Sequence, residues 1–141
     1  PRLTYVRNPP GTSHSPILDE GCVILVKLRQ FAADDLTPVR LDTTHPDAWH
    51  APTPGAEVLP LHRHRDEVVR LERLAPGTVV DREVGPGGIE AFLVDGRIEK
   101  VGRLHRAWAW FRQPAGSQFS LRALDASLIY IKEGHLPAGR P

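Results

Sequence analysis

Apolar stretches of about four to eight residues recur along the chain, separated by Gly- and Pro-marked turns at near-regular spacing. That pattern predicts short antiparallel strands closing into a barrel or packing as a sandwich. Strands are expected at 5–6 and 22–30. The second holds the nearly continuous run CVILVKL, which suits a strand buried on both faces. Asn8-Pro9-Pro10-Gly11 between them is a turn, its prolines fixing φ and its glycine permitting a positive one. Further strands are predicted at 57–61, 67–74, 78–83, 89–94, 97–101, 107–112, 118–121 and 127–133. The turns between them include Ala75-Pro76-Gly77, the tight Gly85-Pro86-Gly87-Gly88, and Asp95-Gly96, a hairpin signal. Nothing in the periodicity predicts an amphipathic helix of about ten residues or more.

A repeat organises these strands. Residues 5–27 (YVRNPPGTSHSPILDEGCVILVK) align without a gap to 110–132 (WFRQPAGSQFSLRALDASLIYIK) at an offset of 105. Arg7, Pro9, Gly11, Ser15, Ile24 and Lys27 meet identical partners in Arg112, Pro114, Gly116, Ser120, Ile129 and Lys132. The later copy is preceded by strand-like sequence from about residue 57, the earlier one by four residues. The expectation is therefore a duplicated module whose first copy lacks its front half here. That half is truncated, proteolysed, missing from the sequence in hand or supplied by a partner; truncation is the plainest reading. The absence of Met points the same way, because such a chain does not begin at its own start codon. The expected organisation is 1–31 as the C-terminal part of a first module, 32–56 as a Pro-rich extended linker anchored by Trp49, 57–136 as a second module, and 137–141 as a tail.

Composition narrows the class. Eighteen Lys+Arg against seventeen Asp+Glu leave a charge of +1, which gives no basic stripe for nucleic acid. One cysteine rules out an internal disulfide and suits a reducing, cytoplasmic setting. No apolar run approaches the roughly 18 residues of a membrane span. The 14 Pro and 12 Gly fit many turns and short strands.

The motifs RNPPGTSH, EGCVILVKLRQF, VLPLH, RLAPGT, GPGGIEAFLVDG and IYIKEGHL together resemble the ChrR-type bicupin family over nearly the whole chain. The resemblance implies an all-β fold, a cupin-type jelly-roll barrel, here a bicupin with an incomplete first module. It implies a role as the sensing part of a zinc-dependent anti-sigma factor or as a stand-alone protein. Related cupins include metal-dependent dioxygenases acting on diketone-like and aryl-ketone substrates.

Cupin metal sites take three His and one Glu, and carrying that motif over, anchored on Gly87, Gly88 and Gly96, places the two His positions at Glu83 and Gly85. The Glu position falls on Ile89, with Glu90 beside it, and the last ligand position on Phe119. The second module has thus lost its imidazoles, and no metal is expected there. In the first module the equivalent of Phe119 is His14, in the intact PGTSH turn. His14 is either a Zn or Fe ligand whose partners lie outside this chain or a histidine hydrogen-bonded in the barrel mouth. Cys22 reads as a small buried residue rather than a redox thiol.

A competing set is His62, His64 and Asp66, which share one face of a strand and could chelate zinc. Leu59, Leu61, Val69 and Leu71 form the opposite, core-facing set, so the expectation is a solvated histidine face. His45, His50, His105 and His135 read as isolated surface residues. Arg82, Arg97, Arg103, Arg106 and Arg112 recur on late strands. They would meet an anionic ligand if they converged, although outward-facing cations are commoner.

These readings favour a regulatory or ligand-sensing cupin with no catalytic residues, a homodimer that takes a small-molecule ligand. A sigma factor would be met only through a zinc-bearing helical region that is not in this sequence. The alternatives are a non-haem metal dioxygenase using the first module through His14, or an assembly role.

Overall fold

A computed structural model of the chain describes residues 3–13 and 21–137. It forms two compact units, Pro1–Thr44 and His45–Pro141. In the first, β1 (Thr4–Arg7) pairs antiparallel with β2 (Val39–Asp42), Thr4 opposite Asp42 and Arg7 opposite Val39. The Thr43 amide and hydroxyl close the pair by donating to the Leu3 carbonyl, at 3.2 and 2.5 Å. Arg7 is buried because each face of its guanidinium has a use. It pairs with the Asp35 carboxylate, donates to the Thr37 carbonyl at 2.6 Å, and lies 4.3 Å over the Phe31 ring.

The strand expected at 22–30 does not form. Residues 21–31 form no ladder, the backbone turns at Arg29 with a φ of +57, and Val23, Ile24, Leu25, Val26 and Leu28 are exposed. The reason is physical: a strand exists only as part of a ladder, and among the described residues no strand pairs with this segment. Cys22, expected to be buried, is exposed with this segment. The stretch 32–56, expected as an extended linker, contains β2, a single 3-10 turn at Pro46–Ala48, and β3 (His50–Thr53). Trp49 does anchor the following sheet, with the Arg73 guanidinium 3.7 Å over its ring.

The second unit is all β. A six-stranded antiparallel sheet runs β10 (Trp110–Gln113), β7 (Ile89–Asp95), β12 (Ser127–Glu133), β5 (Glu67–Leu74), β4 (Ala56–His64), β3. A four-stranded sheet runs β6 (Val79–Glu83), β11 (Gln118–Ala123), β8 (Arg97–Lys100), β9 (Arg103–Arg106). The ladders of the described residues do not close these sheets into a barrel. The strand β9 was not expected; it returns from a turn at Val101-Gly102 to pair with β8.

Period-two alternation fixes what lies between the sheets. Leu74, Ile89, Ala91, Leu93, Ile129 and Ile131 from the larger sheet meet Val84, Ile98, Phe119, Leu121 and Ala123 from the smaller side in one buried cluster. The Gly85–Gly88 turn is held by 134–136. The Gly134 amide donates to the Gly88 carbonyl at 3.0 Å and the Leu136 amide to the Gly87 carbonyl at 2.7 Å. A Cβ on Gly87, at φ +74, would meet the Gly134 backbone at 2.6 Å, so this close approach requires glycine. No helix among the described residues is long and apolar enough to cross a membrane.

Candidate functional site at one end of the sandwich

The inward positions near the Gly85–Gly88 turn are polar where the rest of the core is apolar. On β5 the inward side chains after Leu74, reading backwards, are Glu72 and Arg70, because Glu72 lies opposite Ile129 and Arg70 opposite Ile131. On β12 the same face carries Glu133 after Ile131. On β6 it carries Arg82, the cross-strand partner of buried Phe119. These four groups form one ionic network joining the two sheets. Arg70 Nε donates to Glu72 Oε1 at 2.7 Å, and its Nη1 and Nη2 hold both Glu133 oxygens at 2.9 and 3.0 Å. Arg82 Nη1 reaches across from β6 to the same Glu72 Oε1 at 2.9 Å.

The electrostatics follow from burial and pairing. Burial opposes the Arg70 charge, but the hydrogen bonds and charges of Glu133 and Glu72 outweigh it and raise its pKa. Burial likewise pushes the Glu133 carboxyl up; the Arg70 hydrogen bonds and the charges of Arg70 and Arg82 win and hold it below the usual carboxylate range. Beside them Lys100 is buried on β8, and its ammonium donates to Gln113 Oε1 and the Ser120 carbonyl, both at 3.1 Å. Burial lowers its pKa. Both cations lie over the Phe119 ring, Lys100 Nζ at 4.4 Å and the Arg82 guanidinium carbon at 5.4 Å from its centroid.

The positions derived by motif sort themselves against this geometry. Phe119 and Ile89 are inside, at 1 % exposure each. Glu83 and Gly85 are exposed, and the inward residues beside them are Arg82 and Val84, since Arg82 pairs across the ladder with Phe119 and Glu83 with outward Gln118. Glu90 is buried on the other face of β7, with His135 Nε2 at 3.4 Å and Arg112 Nε at 3.8 Å. His135, read as a surface residue, is held there. Any cation-binding site at the inward positions would require lone pairs from Arg82, Val84, Ile89 and Phe119. A guanidinium, two aliphatic chains and a phenyl ring supply none, so these residues do not fit a metal ion.

The histidine face also departs from simple alternation. The β4–β5 register shifts at Leu61, so that Leu59 faces Leu71 but His62 faces Val69 and His64 faces Glu67. A bulge of this kind puts two residues opposite one and carries His62 and His64 to the side of Val69 and Leu71. Both are half-buried rather than solvated, while Asp66 is exposed in the turn after β4. Among the described residues no three His, Cys, Asp or Glu gather as a metal site. His14 lies outside the described residues.

Sequence reasoning missed Arg70, Glu72 and Glu133. Their strands have apolar residues at both parities, so the alternation signal that would point them inward is cancelled. Arg82 was singled out but expected outward.

A family model described as the ChrR Cupin-like domain matches residues 39–137. No curated protein sequence matches the chain. Among solved structures, an acetylacetone dioxygenase from Acinetobacter johnsonii superposes with a TM-score of 0.58 at 15 % identity, covering 73 % of this chain and 78 % of that one. KdgF from a Halomonas species gives 0.54 at 19 % identity, over 61 % and 86 %. Rhodobacter sphaeroides SigE in complex with the anti-sigma ChrR gives 0.53 at 14 % identity, over 60 % of this chain and 47 % of that one, so this chain spans under half of it. At such identities the likeness is one of fold alone. The family match rests on the sequence, runs from the start of β2 past the end of β12, and takes in the whole ionic network: the chain belongs to the ChrR Cupin-like domain family.

Proposed function

We propose that this chain is a regulatory, ligand-sensing cupin, related to the sensory half of zinc-dependent anti-sigma factors, and not a dioxygenase. One observation carries the reading. Around the positions that the resemblance gives to metal ligands, the inward side chains of the second unit are Arg82, Val84, Ile89 and Phe119, with the guanidinium tied to Glu72. A positive charge fixed at that point repels the Fe or Zn that dioxygenase chemistry would use.

The chain is read as a bicupin whose first module is incomplete. The matching turn supports this. Thr12 Oγ1 donates to the Pro9 carbonyl at 2.7 Å, as Ser117 Oγ does to the Pro114 carbonyl at 2.6 Å, with Gly11 and Gly116 at φ +86 and +74. In that reading His14 is the residue of this chain that would hold Zn or Fe in the first module. The partners are a second copy, a small-molecule ligand and, through a helical region outside this sequence, a sigma factor, in a cytoplasmic setting.

An oxygen electrode tests the choice. The iron-loaded chain mixed with acetylacetone is expected to consume oxygen no faster than free iron does. Catalytic uptake that Arg82→Met or His14→Ala changes would overturn the regulatory reading.

A further inference from the structure

We infer that the polar end of the sandwich is a binding site for a small monocarboxylate with an apolar body, received by the Nε–Nη2 edge of Arg82 and by Lys100. The inference deepens the ligand-sensing reading and rests on it. Arg82 uses Nη1 for Glu72, but its buried Nε and Nη2 make no hydrogen bond among the described residues. Those two N–H groups are parallel and form the side-on fork that takes both oxygens of a carboxylate. Buried donors are nearly always satisfied, so a buried guanidinium edge without a hydrogen bond asks for an acceptor.

The charges point to the same ligand. Facing the space between the sheets, Arg70, Arg82 and Lys100 stand against Glu72 and Glu133, which leaves one cation in excess. Lys100 supplies that excess, because both of its hydrogen-bond acceptors are neutral. One excess positive charge fits a monoanion better than a dianion. The walls fix the rest of the ligand: Phe119 lies against both cations, and Phe111 lies 5.9 Å from Lys100 Nζ. Glu133 guards the approach. Its carboxylate is about a third exposed and sits 3.7 Å from Arg82 Nε, near enough to attract and too far to hydrogen-bond. An incoming carboxylate displaces it outward.

Calorimetric titration of the full chain with benzoate tests this, with benzamide as the neutral isostere and inorganic phosphate as the multiply charged control. Benzoate is expected to bind one to one. Arg82→Met should weaken it about tenfold or more, Lys100→Met should also weaken it, and Glu133→Gln should tighten it by removing the resident competitor. Phosphate and benzamide should bind far more weakly. The inference falls if wild-type chain gives no benzoate heat, or if benzamide or phosphate matches benzoate. It falls equally if both Lys100→Met and Glu133→Gln leave the affinity unchanged, an outcome readable even where Arg82→Met fails to fold. A chain that ignores benzoate and also shows no diketone turnover would sink this site while leaving the regulatory reading intact.

Discussion

Residues 5–27 and 110–132 are two versions of one sequence pattern, and they end in opposite situations. Up to the turn they agree: β1 corresponds to β10, and the glycine turns after them repeat the same hydroxyl-to-carbonyl hydrogen bond. Beyond it they part. Ile129 and Ile131 sit in β12 between β5 and β7, at 2 % and 0 % exposure, while their counterparts Ile24 and Val26 are 56 % and 60 % exposed. The local signal for a turn is self-sufficient, because its hydrogen bonds lie within four residues. The signal for a central strand is not, because its partners lie elsewhere in sequence. An apolar β-prone run states what a segment needs, not what it has.

Truncation at the equivalent positions should separate the copies most widely. Ile131→Ala is expected to cost about 2–5 kcal/mol in urea unfolding of the second unit, the penalty for a core cavity. Val26→Ala should stay within about 0.5 kcal/mol, as for exposed sites. Equal losses would mean that Val26 is covered as well as Ile131.

The ionic network belongs to the second copy's surroundings and gives the next effect. Glu72→Gln removes the carboxylate shared by Arg70 and Arg82, and should destabilise by about 2–3 kcal/mol in the same assay. No loss would place those guanidiniums in solvent.

The turns sharpen the comparison from the side where the copies agree. At Gly11 and Gly116 a Cβ meets nothing within 4 Å, so alanine brings only the strain of a positive φ. Gly116→Ala should cost about 1–2 kcal/mol, seen in the global unfolding curve. Gly11→Ala carries the same local strain but should leave the unfolding of the second unit where it was.

The smallest effect concerns pH. Glu133 has a folded pKa below its unfolded one, so its ion pairs stabilise fully above the ordinary carboxylate range and are lost as pH falls through the lowered value. About a third of its side chain is exposed, so solvent screening leaves about 1 kcal/mol or less. Glu133→Gln should flatten this acid arm in a series of thermal melts. An unchanged arm would assign it to other carboxylates.

Much of the architecture was legible in the sequence. Strands 67–74 and 127–133 lie where the turns and alternation put them, and the family match over 39–137 takes in four of the six motifs quoted for it, RNPPGTSH and EGCVILVKLRQF lying outside it. The site was only half legible. Phe119 and Ile89 were found because motif spacing anchored on glycines carries them, yet the same spacing put Glu83 and Gly85 inside in place of Arg82 and Val84. Motif counting tolerates a slip of one residue; a strand does not, since one step reverses every side chain. The bulge at Leu61 defeated alternation for the same reason, turning His62 and His64 to the side of Val69. Arg70 and Glu72 stayed hidden because β5 is buried on both faces, where period two carries no contrast.

The difference between the aligned positions, Phe119 in one copy against His14 in the other, carries the central proposal: that an internal ionic network stands in the second unit where the resemblance implies a metal. Metal content after equilibration of the full chain with zinc or iron, for wild type and His14→Ala, tests it most directly. Any stoichiometric metal should depend on His14 and vanish in the variant. A full equivalent retained by His14→Ala, and then lost with His62→Ala or Glu72→Gln, would place a metal in the second module and contradict the account.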